Sequence, residues 1–164
     1  MSAAGQAVVL LGFVLVALAA GGLGSLATVP AIPGWYAGLA KPSWTPPSWL
    51  FGPVWTLLYL AMGVAAWLVW REAGGVRAAA LPLAIWLAQL ALNALWSFLF
   101  FGLRQPGWAF VEVVVLWLAI LGTVVVCWRV SPTAGAILLP YLLWVSYASA
   151  LNGALWSMNR GRVA

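Results

Sequence analysis

The chain has 164 residues, of which 66% are hydrophobic and only nine carry charge, seven basic and two acidic. A soluble domain carries about a quarter charged residues, so this chain cannot cover a water-facing surface and its solvent is lipid. There is no histidine and a single cysteine, Cys127, which excludes an intrachain disulfide, a Cys/His zinc site, haem on an axial histidine and histidine-based acid–base or triad chemistry.

The net charge of +5 does not mark a nucleic-acid partner. The basic residues stand singly at the ends of apolar runs, whereas a nucleic-acid footprint clusters them on one face. The expected class is an all-α, multi-pass integral membrane protein, with residues 1–164 forming one bundle of five transmembrane helices. Which membrane holds it is not set by the sequence.

The first apolar run covers about Ala7–Thr28. It has no basic segment before it and exceeds a signal-peptide core in length, so it reads as a retained span. Ala17, Gly21 and Ser25 recur at four-residue spacing, a small-residue stripe for close helix packing. The connector 29–47 carries Pro30, Pro33, Pro42, Pro46 and Pro47 and ends in the stretch KPSWTPPSW, Lys41–Trp49. Its prolines lower the entropy cost of holding one shape. The 29–47 loop reads as a lid, with Trp44 turned toward a cavity and Lys41 at the rim.

The second span, about Ser48–Trp70, places Trp55 and Tyr59 at i and i+4 on one face. After Gly74 and Gly75, the third span covers about Ala79–Leu103. Here Gln89, Asn93 and Trp96 share a face, and lipid cannot satisfy the two amides, so this face turns inward. Ala84, Ala88 and Ala91 form a smooth stripe elsewhere on the same helix, suited to another helix or a second subunit. The fourth span, about Trp108–Arg129, groups Trp108, Val111, Glu112 and Val115 on one side. Glu112 is the only acid inside a span. It is expected near the interface, with Arg104 as a partner across the turn. The fifth span, about Thr133–Met158, aligns Trp144, Ala148, Leu151 and Leu155, with Asn152 beside them. Loop charges are nearly balanced: Arg71, Arg77 and Arg129 on one side, Lys41, Arg104, Arg160 and Arg162 on the other. The positive-inside rule therefore leaves orientation open.

Four ordered stretches, WYAGLAKPSWTPPSWLFGPVWTLLYLAMG (Trp35–Gly63), QLALNALW (Gln89–Trp96), FFGLRQPGWA (Phe100–Ala109) and PYLLW…A…LN (Pro140–Asn152), closely resemble the tryptophan-rich sensory protein/translocator protein family, also called the peripheral benzodiazepine receptor family. The resemblance implies a five-helix membrane bundle, often dimeric, that binds porphyrins in a pocket at the end of the first loop. It also implies isoquinoline carboxamide or benzodiazepine-type ligands, and sterol binding in some members. By position it carries over Trp55 and Trp144 as pocket tryptophans, Trp96 and Trp108 as further lining, Asn93 as the pocket asparagine, and Ala148 and Leu151 as the fifth-helix wall. The tyrosine of the family's proposed sterol motif is Gly153 here, so the resemblance does not extend to that motif.

A porphyrin such as protoporphyrin IX or haem would be a ligand; no resident cofactor or metal is expected. Indole faces suit its ring, at about 0.5–1.5 kcal/mol per stacked pair beyond burial. Its carboxylates call for donors near water, such as Asn93, indole N–H groups, loop amides or Lys41. Three functions fit: sensing, carrying or buffering porphyrin; light-dependent porphyrin degradation, with Trp55 and Trp144 as catalytic, oxidisable partners; and sterol or lipid transport or a structural partnership. Apart from the ligand and membrane lipids, the expected partner is a second copy of the chain on the Ala84/Ala88/Ala91 face.

Overall fold

The computed structural model describes residues 2–161; Arg162 lies outside them. Among the described residues five helices are each long and apolar enough to cross a membrane, and this is a multi-pass integral membrane protein. They are α1 (Ala3–Ala31), α2 (Phe51–Ala73), α3 (Ala80–Ser97), α4 (Pro106–Val130) and α5 (Pro132–Asn159).

The local chemistry sets the ends. The Ser2 hydroxyl accepts the Gly5 amide at 3.2 Å and caps α1. Gly74 closes α2 with φ 88°, a left-handed conformation that glycine adopts without steric cost. Pro106 and Pro132 begin α4 and α5, where a missing N–H leaves no bond unmade. Ser131 caps α5 by accepting the Ala134 amide at 3.3 Å.

The expected spans hold to within a few residues, except at the end of α1. Pro30 and Pro33 were expected as breakers in the 29–47 connector, yet α1 runs through Pro30 and continues as a π turn, Ile32–Tyr36. The connector is thereby shortened to residues 37–47. In lipid, leaving the helix would strand backbone polar groups, so the chain widens a turn instead. The Ala37 amide reaches Ile32 O at 3.1 Å, and the Thr28 hydroxyl bonds Gly24 O at 3.0 Å. A second π turn, Phe98–Gly102, extends α3.

The helices form a closed ring in the order α1, α2, α5, α4, α3. Glycines set the closest approaches. A Cβ on Gly63 would sit 2.6 Å from the Val14 Cα, so α2 meets the α1 backbone there. In the half of the bundle away from the 37–47 loop, the interior is filled by Met62, Val69, Trp86, Leu116, Ile120 and Leu138. A smaller cluster around Tyr36, Phe100, Phe101 and Leu155 sits at the loop end.

Glu112 departs from expectation. It is 8% exposed, and neither carboxyl oxygen has a hydrogen-bond partner among the described residues. Arg104 is exposed in the α3–α4 turn at φ 56° and makes no ion pair with it. The inward rotation of α4 that buries Ala109 and Val113 carries Glu112 in with them.

Gly63→Ala is expected to destabilise the bundle by about 1–3 kcal/mol through overpacking against α1. Gly12→Ala, which enters open space, leaves the midpoint unchanged or slightly raised. Thermal unfolding in detergent compares the two.

Candidate ligand-binding site

A cavity of about 390 Å³ lies between α1, α2, α3 and α5, at the end of the bundle that bears the 37–47 loop. Small-molecule sites span roughly 300–1,000 Å³. From α1 it is lined by Gly21, Gly24, Ser25 and Thr28; from α2 by Phe51, Trp55 and Tyr59; from α3 by Asn93 and Trp96; and from α5 by Trp144, Ala148, Leu151 and Asn152. Gly22, Ser25 and Val29 on α1, and Gly52 and Thr56 on α2, border the cavity and are exposed, so it opens between these helices.

Glycines of α1 let the neighbouring helices' side chains seat closely on its inner face. A Cβ on Gly21 would overlap the Tyr59 ring, and one on Gly24 would sit 2.9 Å from Ser97 Oγ. Ala17 packs as the small-residue stripe anticipates, whereas Ser25 faces the opening.

A buried hydrogen-bond chain forms the inner wall. Tyr59 OH donates to Asn93 Oδ1, Asn93 Nδ2 donates to Tyr141 OH, and Tyr141 OH donates to Gln89 Oε1, each at 2.7 Å. Gln89 Nε2 completes the chain on Met62 Sδ at 3.7 Å. Nearby, Trp96 Nε1 donates to Asn152 Oδ1 at 3.0 Å, and Asn152 Nδ2 donates to Pro106 O at 2.8 Å. These bonds pair off the polar groups of Tyr59, Asn93 and Asn152, so the surface they present to the cavity is mainly apolar.

The loop closes the end. Ala40 donates to Asn159 Oδ1 at 3.0 Å, and Asn159 Nδ2 donates back to Ala40 O at 2.9 Å and to Leu155 O at 2.8 Å. Asn159 is 1% exposed. Tyr147 OH holds Trp44 O at 2.6 Å, and the Tyr147 ring lies 5.7 Å from both the Trp44 and Trp144 rings. Lys41 Nζ donates to Ala37 O and Leu39 O at 3.0 and 3.1 Å and sits over the Tyr36 ring. Partial burial lowers the Lys41 pKa. Two donors under this lid, Tyr36 OH and Trp144 Nε1, are buried without partners among the described residues.

Of the residues singled out from sequence, Trp55, Tyr59, Asn93, Trp96, Trp144, Ala148 and Leu151 line one cavity. Trp44 does not line it; the indole rests on Tyr147 at the outer surface of the lid. Trp108 does not line it either. It is 69% exposed, because the Asn152–Pro106 bond fixes α4 with Ala109 and Glu112 inward and Trp108, Val111 and Val115 outward. Sequence reasoning passed over Tyr36, Tyr141, Tyr147 and Asn159. Tyr141 was findable, three residues before Trp144 on the same helix face. Tyr36 was hidden by its assignment to a loop, and Asn159 by a partner 119 residues away.

The profile of the TspO/MBR family matches residues 13–157. The chain belongs to the TspO/MBR family. It is 48% identical to the human translocator protein over 128 residues, 77% of this chain and 76% of that one. It is 43% identical to the tryptophan-rich protein TspO of Archaeoglobus fulgidus over 146 residues, 89% and 94% of the two chains. The tryptophan-rich sensory protein of Cereibacter sphaeroides shares 38% over 128 residues, 78% of each chain.

In this TspO/MBR protein the lid hangs mainly on one buried amide. Asn159→Ala removes both bonds to Ala40, about 1–3 kcal/mol in all. Hydrogen–deuterium exchange over residues 37–47 is expected to quicken by roughly 5- to 100-fold, with the helix cores unchanged.

Proposed function

We propose that this TspO/MBR protein binds porphyrins such as protoporphyrin IX in the cavity beneath the 37–47 lid, in order to sense, carry or buffer them. The observation that carries this reading is three indoles, Trp55, Trp96 and Trp144, around one apolar cavity, with unpartnered Tyr36 OH and Trp144 N–H donors at its lid end. A flat aromatic ring fits among the indoles; the two donor atoms are buried beside the cavity, and a turn of either side chain would bring them to acceptor oxygens at the ring's edge. Isoquinoline carboxamide or benzodiazepine-type ligands, apolar with a carbonyl acceptor, suit the same features. The relatives' names, translocator and sensory protein, agree with carriage or sensing.

Among the described residues no histidine, cysteine or methionine lines the cavity, and Cys127 lies toward the opposite end of α4. Of the two lining tyrosines, Tyr59 already donates to Asn93, which leaves Tyr36 OH as the axial candidate for iron. Metal-free and iron-loaded porphyrin should bind alike if Tyr36 stays off the metal. Lys41 serves the rim less directly than its position promised, since two of its donors hold the loop's own carbonyls.

A second reading is light-dependent porphyrin degradation. It is favoured by the placement of Trp55 and Trp144, two oxidisable indoles, on the walls of the same cavity. The chemistry would run through the excited ligand.

A homodimer through Ala84, Ala88 and Ala91 completes the proposal. All three are exposed on the outer face of α3, where small side chains allow a second helix to approach closely.

Fluorescence titration with protoporphyrin IX is expected to saturate for the wild type. Trp55→Phe and Trp144→Phe should each weaken binding by roughly 2- to 10-fold, the range of one stacked aromatic pair. Absence of saturable binding would overturn the proposal. Loss of the Soret absorbance band in light alone, dependent on either tryptophan, would select degradation over simple binding.

Ala88→Trp is expected to convert a detergent-solubilised dimer to monomer in light-scattering measurements. An unchanged dimer would place the interface on another face.

A further inference from the structure

A second depression, of about 350 Å³, lies on the outside of the bundle where α4 begins and α5 ends. Its walls are Trp108 on one side and Trp156 and Arg160 on the other, with Gly107 at its base and Val111 leading down toward the lipid. The cavity beneath the lid shares none of these residues.

The Trp156 wall is built as a stack. The Phe110 and Trp156 rings lie 5.8 Å apart at 30°, and the Arg160 guanidinium sits 4.4 Å over Trp156. Two glycines make space for the stack. A Cβ on Gly107 would come within 2.9 Å of Trp156 Nε1, and one on Gly153 within 3.0 Å of Phe110. The glycine at 153 thus seats Phe110, which supports the wall.

The opposite end of the bundle supplies an internal comparison. There Arg71 lies 4.6 Å over Trp67, the same four-residue spacing and the same stacking. Arg71 has a carboxylate partner in Glu72 at 3.4 Å, and the Trp67 N–H is taken by Gln6 Oε1 at 3.1 Å. Arg160 has no carboxylate partner among the described residues. Its positive charge stands beside an open cleft at the membrane–water boundary, with an indole on each side.

We propose that this cleft seats the anionic headgroup of a membrane phospholipid, with Arg160 as counter-charge, the Trp108 and Trp156 indoles flanking the glycerol region, and an acyl chain following Val111. The exposed apolar exit selects a lipid over a free anion. A soluble phosphate would gain nothing from Trp108 and Val111, whereas an acyl chain buries both. Trp and Arg at this depth match the usual interfacial anchoring pattern; the cleft turns a diffuse preference into a seat for one lipid.

Native mass spectrometry of the detergent-solubilised protein tests this with phosphatidylglycerol and phosphatidylcholine of identical chains. The wild type is expected to retain phosphatidylglycerol about fivefold more, the attraction of one basic residue for an anionic surface. Arg160→Gln should abolish that preference and Arg71→Gln should keep it. Gly107→Ala, which pushes Trp156 into the cleft, should reduce retention with Arg160 intact. No preference in the wild type, a preference that survives Arg160→Gln, or equal displacement by soluble glycerol phosphate would each overturn the proposal.

Discussion

Lipid offers few hydrogen bonds, so most polar side chains inside this bundle pair with another helix or with their own backbone. The longest such chain runs from Tyr59 on α2 through Asn93 on α3 and Tyr141 on α5 to Gln89 on α3. It fixes three helices against one another with neutral groups. Removing Tyr141's hydroxyl would leave Asn93 Nδ2 and Gln89 Oε1 unpaired at once, and buried unpaired amide groups are costly. At the cavity's inner wall this network is continuous with the apolar core around Met62 and Trp86.

The division of the bundle into two halves follows. Away from the lid, large side chains fill the interior and glycines bring backbones into contact, as at Gly63. Toward the lid, Gly21 and Gly24 let Tyr59 and Ser97 pack onto α1 at the edge of the cavity. The opening between α1 and α2 then exposes the cavity to the membrane itself, the phase in which an apolar ligand dissolves. The lid restrains the other approach through Asn159 and Tyr147.

Much of this was legible in the sequence because membrane helices have few polar residues, and each polar residue fixes a face. Gln89 and Asn93 set the rotation of α3, and the tryptophans and small residues of α5 set its inner stripe. The outline of the cavity came from those two helices and from Trp55 and Tyr59. On α4 there was no comparable guide. Its single acid is buried without a partner, and its rotation is fixed by a backbone carbonyl that accepts from Asn152. Trp108 consequently faces lipid although its position in the family pattern assigns it to the pocket. Pro30 and Pro33 misled for a different reason. Their local preference for ending a helix is weaker than the penalty for exposing backbone in lipid, so a π turn absorbs them. The Asn159 clasp joins chain positions far apart, which no local pattern encodes.

The structure of the protein with protoporphyrin IX bound, at a resolution that shows the ring, tests the cavity's role most directly. The ring is expected between Trp55 and Trp144, with its carboxylates toward Tyr36 and the lid. A porphyrin found on the outer face of α4 and α5, or anywhere else outside this cavity, would contradict it.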